Sequence, residues 1–214
     1  MRFTEHLIDQ RSPEWHALRV GRLCGSRAAD MLATIKTGEA AGRRNLRMQL
    51  VLERITGRSQ ERPVFQSQAM QDGVEREADA VALYDAATGL CARPTGFVAL
   101  NDILAGCSPD GVIGKFEGLL EVKCPIAATH WEFLKTGKVP EDYVKQITHN
   151  LWVTGAEWCD YLSYQPDFPE GKQVKVKRVP RELLDLPTYE KAAQKFLAEV
   201  DFEVLEFEKV EVGA

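Results

Sequence analysis

The sequence has no long apolar run. No stretch of its 214 residues approaches the roughly twenty apolar residues that a membrane-spanning helix requires. Its first residues, MRFTEHLIDQRSPEW, carry charges where a secretory signal has its apolar centre. We therefore expect no membrane segment and a place of action in the cytoplasm.

Paired metal-binding cysteines and histidines are also lacking. The five cysteines are odd in number and form no CxxC pair, which argues against a disulfide framework and against a structural zinc site. The four histidines show no close pair at ligand spacing, so a zinc site rich in histidine or an HNH-type nuclease site is disfavoured. Cys124 lies beside the candidate site described below, but without a neighbouring base we interpret it as strand packing.

The chain lacks the net positive charge that is usual in nucleic-acid-binding proteins, since its formal charge is −5. The total hides an asymmetry along the chain. Residues 1–62 carry twelve Lys or Arg against seven Asp or Glu, whereas residues 63–214 carry fifteen against twenty-five. A cationic surface is therefore available mainly from the N-terminal third, and part of the acidic excess is expected to be metal ligands.

The hydrophobic periodicity predicts one domain over residues 1–214, of the α/β (α+β) class, with a central mixed sheet flanked by helices. Ser12 and Ser26 are predicted to cap the first two helices, and residues 37–42 to form a loop. Helices are predicted over 12–23, 27–34, 43–57, 67–89, 128–137, 140–155 and 181–210. Strands are predicted over 92–100, 103–108, 111–115, 118–124, 158–165 and 173–180, the first four as an antiparallel meander. The predicted inward positions are Leu46, Leu50 and Ile55, then Ala69, Val74, Ala78, Val81 and Tyr84.

The candidate catalytic residues lie in the stretch CSPDGVIGKFEGLLEVKCP, residues 107–125. Side chains alternate across a strand, so Glu121 and Lys123 share one face. A turn at 114–118 returns the chain, so that the hairpin brings Asp110 alongside Glu121. Two neighbouring carboxylates repel each other unless a cation lies between them, and hard oxygen ligands favour Mg²⁺ or Mn²⁺.

This arrangement suits phosphodiester hydrolysis, because Mg²⁺ is commonly bound by one or two carboxylates together with substrate phosphate. The carbonyl of Val122 is a candidate third ligand. Lys123 would position or help deprotonate the attacking water and offset the charge on the pentacovalent phosphate. The alternative is an ordinary SPDG turn followed by a Glu121–Lys123 pair on a solvated strand.

The residues resemble the PD-(D/E)xK nucleases, and within them the YqaJ-type viral recombinases related to phage lambda exonuclease. The matching motifs are SPDG with Asp110, EVK with Glu121 and Lys123, GVERE with Glu77, and YVKQ with Gln146. The resemblance implies a restriction-endonuclease-like core in which Glu77 joins the metal site. It further implies Mg²⁺ as cofactor, as two ions, with Mn²⁺ as a substitute.

An N-terminal signature extends the resemblance, in WHALRVGRLCGS. By resemblance, Arg19, Ser26 and Ser108 form a pocket for a 5′ phosphate, which suits a guanidinium and two hydroxyl groups. Trp15 and Met70 are implied DNA contacts, Met70 as an apolar wedge at the terminal base pair. Trp15 is open to a second interpretation as a core residue, and residues 172–214 match no motif.

The implied function is a Mg²⁺-dependent 5′–3′ exonuclease that digests one strand of duplex DNA from a phosphorylated end to mononucleotides. The resemblance also implies a ring-shaped homotrimer, a single-strand annealing protein as partner, and a phage or prophage origin. Two alternatives remain open. One is an endonuclease with the same core, and the other is a catalytically silent DNA-binding scaffold for recombination.

Overall fold

The computed structural model describes the backbone of residues 2–60 and 68–210, and the side chains of those residues apart from 68–75. Ser12 caps the first helix by accepting a hydrogen bond from the Trp15 amide, and Gly57 ends the third in the left-handed conformation that glycine adopts readily. The helices in this part of the chain are α1 Pro13–Arg19, α2 Ala28–Met31, α3 Ala41–Thr56, α4 Gln68–Thr88, α5 Ala127–Thr136, α6 Glu141–Thr154 and α7 Leu186–Lys209. Short 3₁₀ turns precede α2 at Gly25–Arg27 and α7 at Arg181–Leu183.

The described strands form two mixed sheets. They are β1 Phe3–His6, β2 Leu23–Cys24, β3 Ala92–Arg93, β4 Phe97–Leu100, β5 Ala105–Cys107, β6 Gly111–Ile113, β7 Gly118–Lys123, β8 Trp158–Tyr164 and β9 Val174–Pro180. The smaller sheet has the order β1-β4-β5-β2, and the larger has the order β3-β6-β7-β8-β9. In the larger sheet β7 and β8 run parallel while its other pairs are antiparallel.

Helix α6 joins the two sheets. Its residues from Ile147 to Thr154 are all buried. Ile147 and Leu151 pack with Leu119 and Tyr161 of the larger sheet, while the Trp152 side of α6 packs with the smaller sheet and α7. The opposite face of the larger sheet is covered by α4, whose Tyr84 is fully buried there. Strand β7 therefore lies between α4 and α6.

The predicted mixed α/β class and the mixed sheet flanked by helices are confirmed. The predicted meander is wrong in one respect, since its two hairpins, β4–β5 and β6–β7, belong to different sheets. Strand β1 was not predicted; its short run pairs with β4, which lies more than ninety residues further along the chain. Within the described residues, no helix is both long and apolar enough to cross a bilayer.

Three local predictions are also corrected. Ser26 does not cap α2, because it lies within the Gly25–Arg27 turn and Arg27 holds the cap position without a side-chain bond. Helix α3 begins at Ala41, inside the predicted loop. Ala78 is exposed rather than inward. Leu46 and Leu50 are buried as predicted, with Ile55 partly buried against the same core, whereas the side chains of Ala69 and Val74 lie outside the described residues.

Candidate active site

Asp110 lies at the start of the β6–β7 hairpin and is held against β7. Its backbone amide donates to the carbonyl oxygen of Leu120 at 3.1 Å. Its Oδ2 accepts a hydrogen bond from the backbone amide of Val122 at 2.7 Å. The pairing of Gly111 with Leu120 fixes this register. The carboxylate of Asp110 is therefore beside the strand segment that carries Glu121 and Lys123, as the hairpin argument predicts.

Glu121 is 1 % exposed, and three side chains donate to its carboxylate. Lys123 Nζ and Gln146 Nε2 each lie 2.5 Å from Oε1, and Asn150 Nδ2 lies 3.0 Å from Oε2. A carboxylate with this many donors is fixed in orientation. The interpretation of Glu121 as part of a solvated strand is therefore wrong.

Lys123 completes the expected trio on the same face of β7. Its ammonium lies 5.3 Å from the centre of the Tyr143 ring, and its side chain is 24 % exposed. Burial alone would lower the pKa of Lys123, but Glu121 and Asp110 raise it by more, so the pKa lies above its usual range. Lys123 is therefore a fixed positive charge beside the two carboxylates.

Asn150 is a member of this cluster that the sequence analysis missed. It lies one helical turn after Gln146 on α6, so both amides face Glu121. Its Oδ1 is buried and accepts no hydrogen bond from the described residues. The i, i+4 spacing of the two amides in QITHN is the sequence signal that would have indicated it.

Glu77 approaches from α4, on the other side of Asp110. Both of its oxygens accept hydrogen bonds from Arg11 Nη2, at 3.0 and 3.1 Å. Glu77 and Asp110 line one cavity of about 390 Å³. Burial and the charge of Asp110 raise the pKa of Glu77, although Arg11 opposes this. Glu77 is therefore close enough to Asp110 to be affected by its charge, and its place in the metal site stays a prediction.

The acidic groups of the cluster oppose one another's ionisation. Burial raises the pKa of Asp110. Burial, with further contributions from Asp110 and Glu77, raises the pKa of Glu121 to about 7 despite the lowering effect of Lys123. Carboxyl groups that are costly to ionise together are stabilised as anions by a bound cation.

The donor set fits Mg²⁺ or Mn²⁺. Asp110 and Glu121 supply carboxylate oxygens next to the backbone of Val122, and Mg²⁺ commonly uses few protein ligands while keeping several waters. Within the part of the chain that the structure describes, no three His, Cys, Asp or Glu side chains form a ready-made metal site. Two carboxylates and one backbone carbonyl would leave coordination positions of such an ion to water and substrate.

Trp15 links two residues of the implied 5′-phosphate pocket. The guanidinium of Arg19 lies 4.0 Å from the centre of the Trp15 ring, and Trp15 Nε1 donates to Ser108 Oγ at 2.8 Å. Trp15 also packs partly against the core formed by Cys24, Phe97 and Ala99. The half-buried ring supports the interpretation of Trp15 as a core residue, and its role as a DNA contact stays a prediction.

Two further residues predicted to contact the DNA end are Ser26 and Met70. Ser26 is exposed in the turn directly after β2, and β2 pairs in parallel with β5, the strand that leads to Ser108. The side chain of Met70 lies outside the described residues, so its role as a wedge stays a prediction.

His149 is bonded to β5 at Gly106, two residues before Ser108. Its Nε2 donates to the carbonyl of Gly106 at 2.9 Å, so its Nδ1 accepts from the Tyr189 hydroxyl at 2.7 Å. Burial lowers the pKa of His149 to about 4. The neutral imidazole therefore ties β5 to α7.

Comparison with solved structures defines the class of protein. The alkaline exonuclease LHK-Exo from Laribacter hongkongensis has a TM-score of 0.82 and is 35% identical, over 92% of this chain and 97% of that chain. A structure of LHK-Exo in complex with dAMP has a TM-score of 0.83, with the same identity and coverage. A phage-related exonuclease from Haemophilus somnus 129PT, 15% identical with a TM-score of 0.60 over 85% of this chain and 96% of that chain, shares the fold. The chain therefore has a PD-(D/E)xK fold.

The family follows from the sequence match. The profile of the YqaJ-like viral recombinase domain matches residues 14–157, which include both the acidic cluster and the Trp15–Arg19 segment. Comparison with curated protein sequences gives no match. The chain belongs to the YqaJ-like viral recombinase family, which confirms the resemblance.

Proposed function

We propose that the protein is a Mg²⁺-dependent exonuclease that digests one strand of linear duplex DNA in the 5′–3′ direction, from a 5′-phosphorylated end to mononucleotides. The observation that carries the proposal is the buried Glu121 carboxylate, which accepts from Lys123 and Gln146 beside Asp110. The likeness to an alkaline exonuclease over nearly the whole chain supports the same reaction class.

The protein residues have separate roles in this reaction. Asp110, Glu121 and the Val122 carbonyl would hold Mg²⁺, with Glu77 contributing from α4. When bound, the ion supplies Lewis-acid stabilisation of a phosphodiester oxygen. Lys123, held as an ammonium, orients the attacking water and offsets the negative charge that develops on phosphorus. Gln146 and Asn150 fix the orientation of Glu121.

The polarity of digestion rests on the N-terminal pocket, which we define as Trp15, Arg19, Ser26 and Ser108. A terminal phosphate carries more negative charge than an internal phosphodiester, and a guanidinium can bind it through charge-assisted hydrogen bonds. The guanidinium of Arg19 lies over the Trp15 ring, and Ser108 accepts a hydrogen bond from Trp15 Nε1. The pocket thus favours a 5′-phosphorylated end.

The family also supports a wider setting for the activity. We include in the proposal a single nuclease domain over residues 1–214, a homotrimeric ring that encloses the DNA, and a single-strand annealing protein that receives the product strand. The place of action would be the cytoplasm of a bacterial host. A closed ring retains DNA by enclosure, which is compatible with a net charge of −5.

A time course on linear duplex DNA tests the proposal. Substrates with a label at either end, bearing a 5′ phosphate or a 5′ hydroxyl, are incubated with Mg²⁺ or with chelator. We expect mononucleotides released from the 5′-phosphorylated strand, and only when Mg²⁺ is present. Release of 3′-terminal nucleotides first, or full activity in chelator, would contradict it.

The two alternatives give different products. An endonuclease would cut a covalently closed circle as readily as a linear duplex, whereas a pocket for a terminal phosphate has no use in such an enzyme. A silent scaffold would bind DNA ends and leave them intact. Parallel incubations with closed and linear DNA of the same sequence separate the three functions.

A further inference from the structure

Arg11 has a backbone conformation that a side chain normally disfavours. Its φ is +70°, in the left-handed region where residues other than glycine are strained. In the described part of the chain, Phe116 in the β6–β7 turn is the other non-glycine residue with a positive φ. Such strain persists where surrounding contacts hold the segment in place, and it is often associated with functional sites.

Contacts of the residues just before Arg11 hold its segment in place. Gln10 Nε2 donates to the carbonyls of Thr95 and Pro109, each at 3.0 Å. A Cβ added at Gly96 would lie 2.2 Å from the Ile8 carbonyl, so the segment approaches the start of β4 as closely as glycine permits. Because Pro109 directly precedes Asp110, the position of Arg11 is tied to the acidic cluster.

Only one nitrogen of the Arg11 guanidinium donates to Glu77. Both hydrogen bonds to Glu77 come from Nη2. Nε and Nη1 donate to no group within residues 2–60 and 76–210. The side chain is 47 % exposed and lines the cavity that contains Glu77 and Asp110. An edge of the guanidinium with hydrogen-bond donors is therefore available at the cavity.

The pair with Glu77 does not account for an arginine at this position. Ion pairs with this degree of exposure contribute little to stability, whereas glycine would remove the backbone strain. The cavity is otherwise acidic, being lined by the carboxylates of Asp9, Glu77 and Asp110, so it repels a polyanion until positive charge is supplied. A guanidinium that keeps two donor nitrogens available beside these carboxylates suits an oxyanion such as phosphate.

We propose that Arg11 binds a backbone phosphate of the DNA strand being cut, next to the acidic cluster and separate from the 5′-phosphate pocket. Glu77 holds the guanidinium at the cavity wall before the strand arrives. The inference rests on the proposed function, since it names a substrate contact of that same site.

The test measures DNA affinity without cleavage, by fluorescence anisotropy of a labelled duplex end in Ca²⁺ in place of Mg²⁺, at several salt concentrations. Arg11→Gly removes the guanidinium and relieves the backbone. We expect affinity to fall about tenfold and the salt dependence to lose about one phosphate contact, with Tm unchanged or raised. Arg11→Lys keeps a positive charge but cannot form two parallel hydrogen bonds to one phosphate. We therefore expect a loss of DNA affinity between that of the wild type and that of Arg11→Gly.

A matched control is available in Arg2, which forms an ion pair with Glu190 of similar exposure outside the cavity. Arg2→Ala should leave affinity and salt slope unchanged. A lower Tm for Arg11→Gly with unaltered affinity and slope would overturn the inference, because Arg11 would then be structural.

Neutral methylphosphonate linkages placed singly along the strand locate the contact. We expect one position to weaken binding by the wild-type protein and to have no further effect on Arg11→Gly. Equal sensitivity of both proteins at every position would overturn the contact. Failure of the proposed function is separately visible, because the wild-type protein would then release no nucleotides in Mg²⁺ whatever the affinities are.

Discussion

The acidic cluster and the N-terminal pocket are built in different ways. In the cluster, Glu121 is buried and receives donors from β7 and α6, and Asp110 is bonded to the backbone of the neighbouring strand. In the pocket, one half-buried indole positions both Arg19 and Ser108. The cluster lies inside the larger sheet and its helices, whereas the pocket is assembled from a short helix and the ends of two short strands.

We propose that this difference reflects two separate tasks, chemistry in the cluster and recognition of a DNA end in the pocket. Chemistry at phosphorus requires groups fixed before the substrate arrives, because charge that is oriented in advance needs no reorganisation during reaction. Recognition of a DNA end requires fewer supporting contacts around the binding residues, because a few charge-assisted hydrogen bonds suffice to bind a doubly charged phosphate. Variants of the cluster should therefore change rate or stability, and variants of the pocket should change the preference among ends.

The largest effect is expected for Lys123→Ala. Removal of the ammonium should lower the cleavage rate by roughly a hundredfold to a thousandfold, while DNA affinity in Ca²⁺ changes little because Asp110 and Glu121 remain. Single-turnover digestion and anisotropy measure the two quantities. Lys115→Ala, in the exposed turn of the same hairpin, is the control. Cleavage by Lys123→Ala at the wild-type rate would refute this role.

Arg19→Ala should act on end preference rather than on the chemical step. We expect the advantage of a 5′-phosphate over a 5′-hydroxyl end to shrink by roughly tenfold to a hundredfold, the usual strength of hydrogen bonds to charged groups. The ratio of initial rates on the two substrates measures it. Arg44→Ala, exposed on α3, should keep the ratio. If Arg19→Ala retains the wild-type ratio, the pocket is assigned wrongly.

Asn150→Ala should lower stability. It removes a donor from the buried Oε2 of Glu121 and leaves space in a fully buried part of α6, which costs roughly 1–3 kcal/mol. Urea unfolding at pH 8, where Glu121 is mostly ionised, measures the loss. Asn45→Ala, exposed on α3, provides the comparison. Equal unfolding midpoints for the two variants would contradict the role of Asn150.

A pH-dependent effect concerns His149, which is bonded to Gly106 of β5, two residues before Ser108. The unfolded chain binds a proton below about pH 6.5, but native His149 does so only near pH 4, so the native state loses roughly 1.4 kcal/mol per pH unit in between. His149→Gln keeps a donor and an acceptor without titrating. It should gain stability relative to the wild type from pH 6.5 to 4.

Glu121 acts in the opposite direction over part of this range. Its raised pKa of about 7 means that the native state takes up a proton before the unfolded chain does, which favours the native state as the pH falls from 7 to about 4.5. Urea unfolding of wild type and His149→Gln at each pH separates the two groups, because Glu121 is common to both. Parallel stability curves would contradict the assignment to His149.

Much of the acidic cluster follows from local sequence. The alternation of side chains in GLLEVK places Glu121 and Lys123 on one face, and the hairpin length brings Asp110 to them. The structure agrees, with Nζ of Lys123 2.5 Å from Oε1 of Glu121. The Ser12 cap and the Gly57 end of α3 were also predictable, because caps depend on neighbouring residues.

Contacts between distant elements were not predictable in this way. Nothing in the local pattern of FTEH indicates that it pairs with β4, and nothing near Ser26 shows that the chain turns before α2 begins. The bond between Trp15 and Ser108 joins residues that are far apart in the sequence. The spacing of Gln146 and Asn150 places both amides on one face of α6, but only the packing of that face over β7 shows that Asn150 reaches Glu121.

The sequence by itself determined the residue types, the alternation along β7 and the family motifs, because these depend on neighbours along the chain and on the spacing of the chemistry. Only the tertiary structure decided the division into two sheets, the burial of Glu121 against α6, and the position of Arg11 beside Glu77 and Asp110. The physical reason is that packing and hydrogen bonding between elements select among many pairings that are locally equivalent.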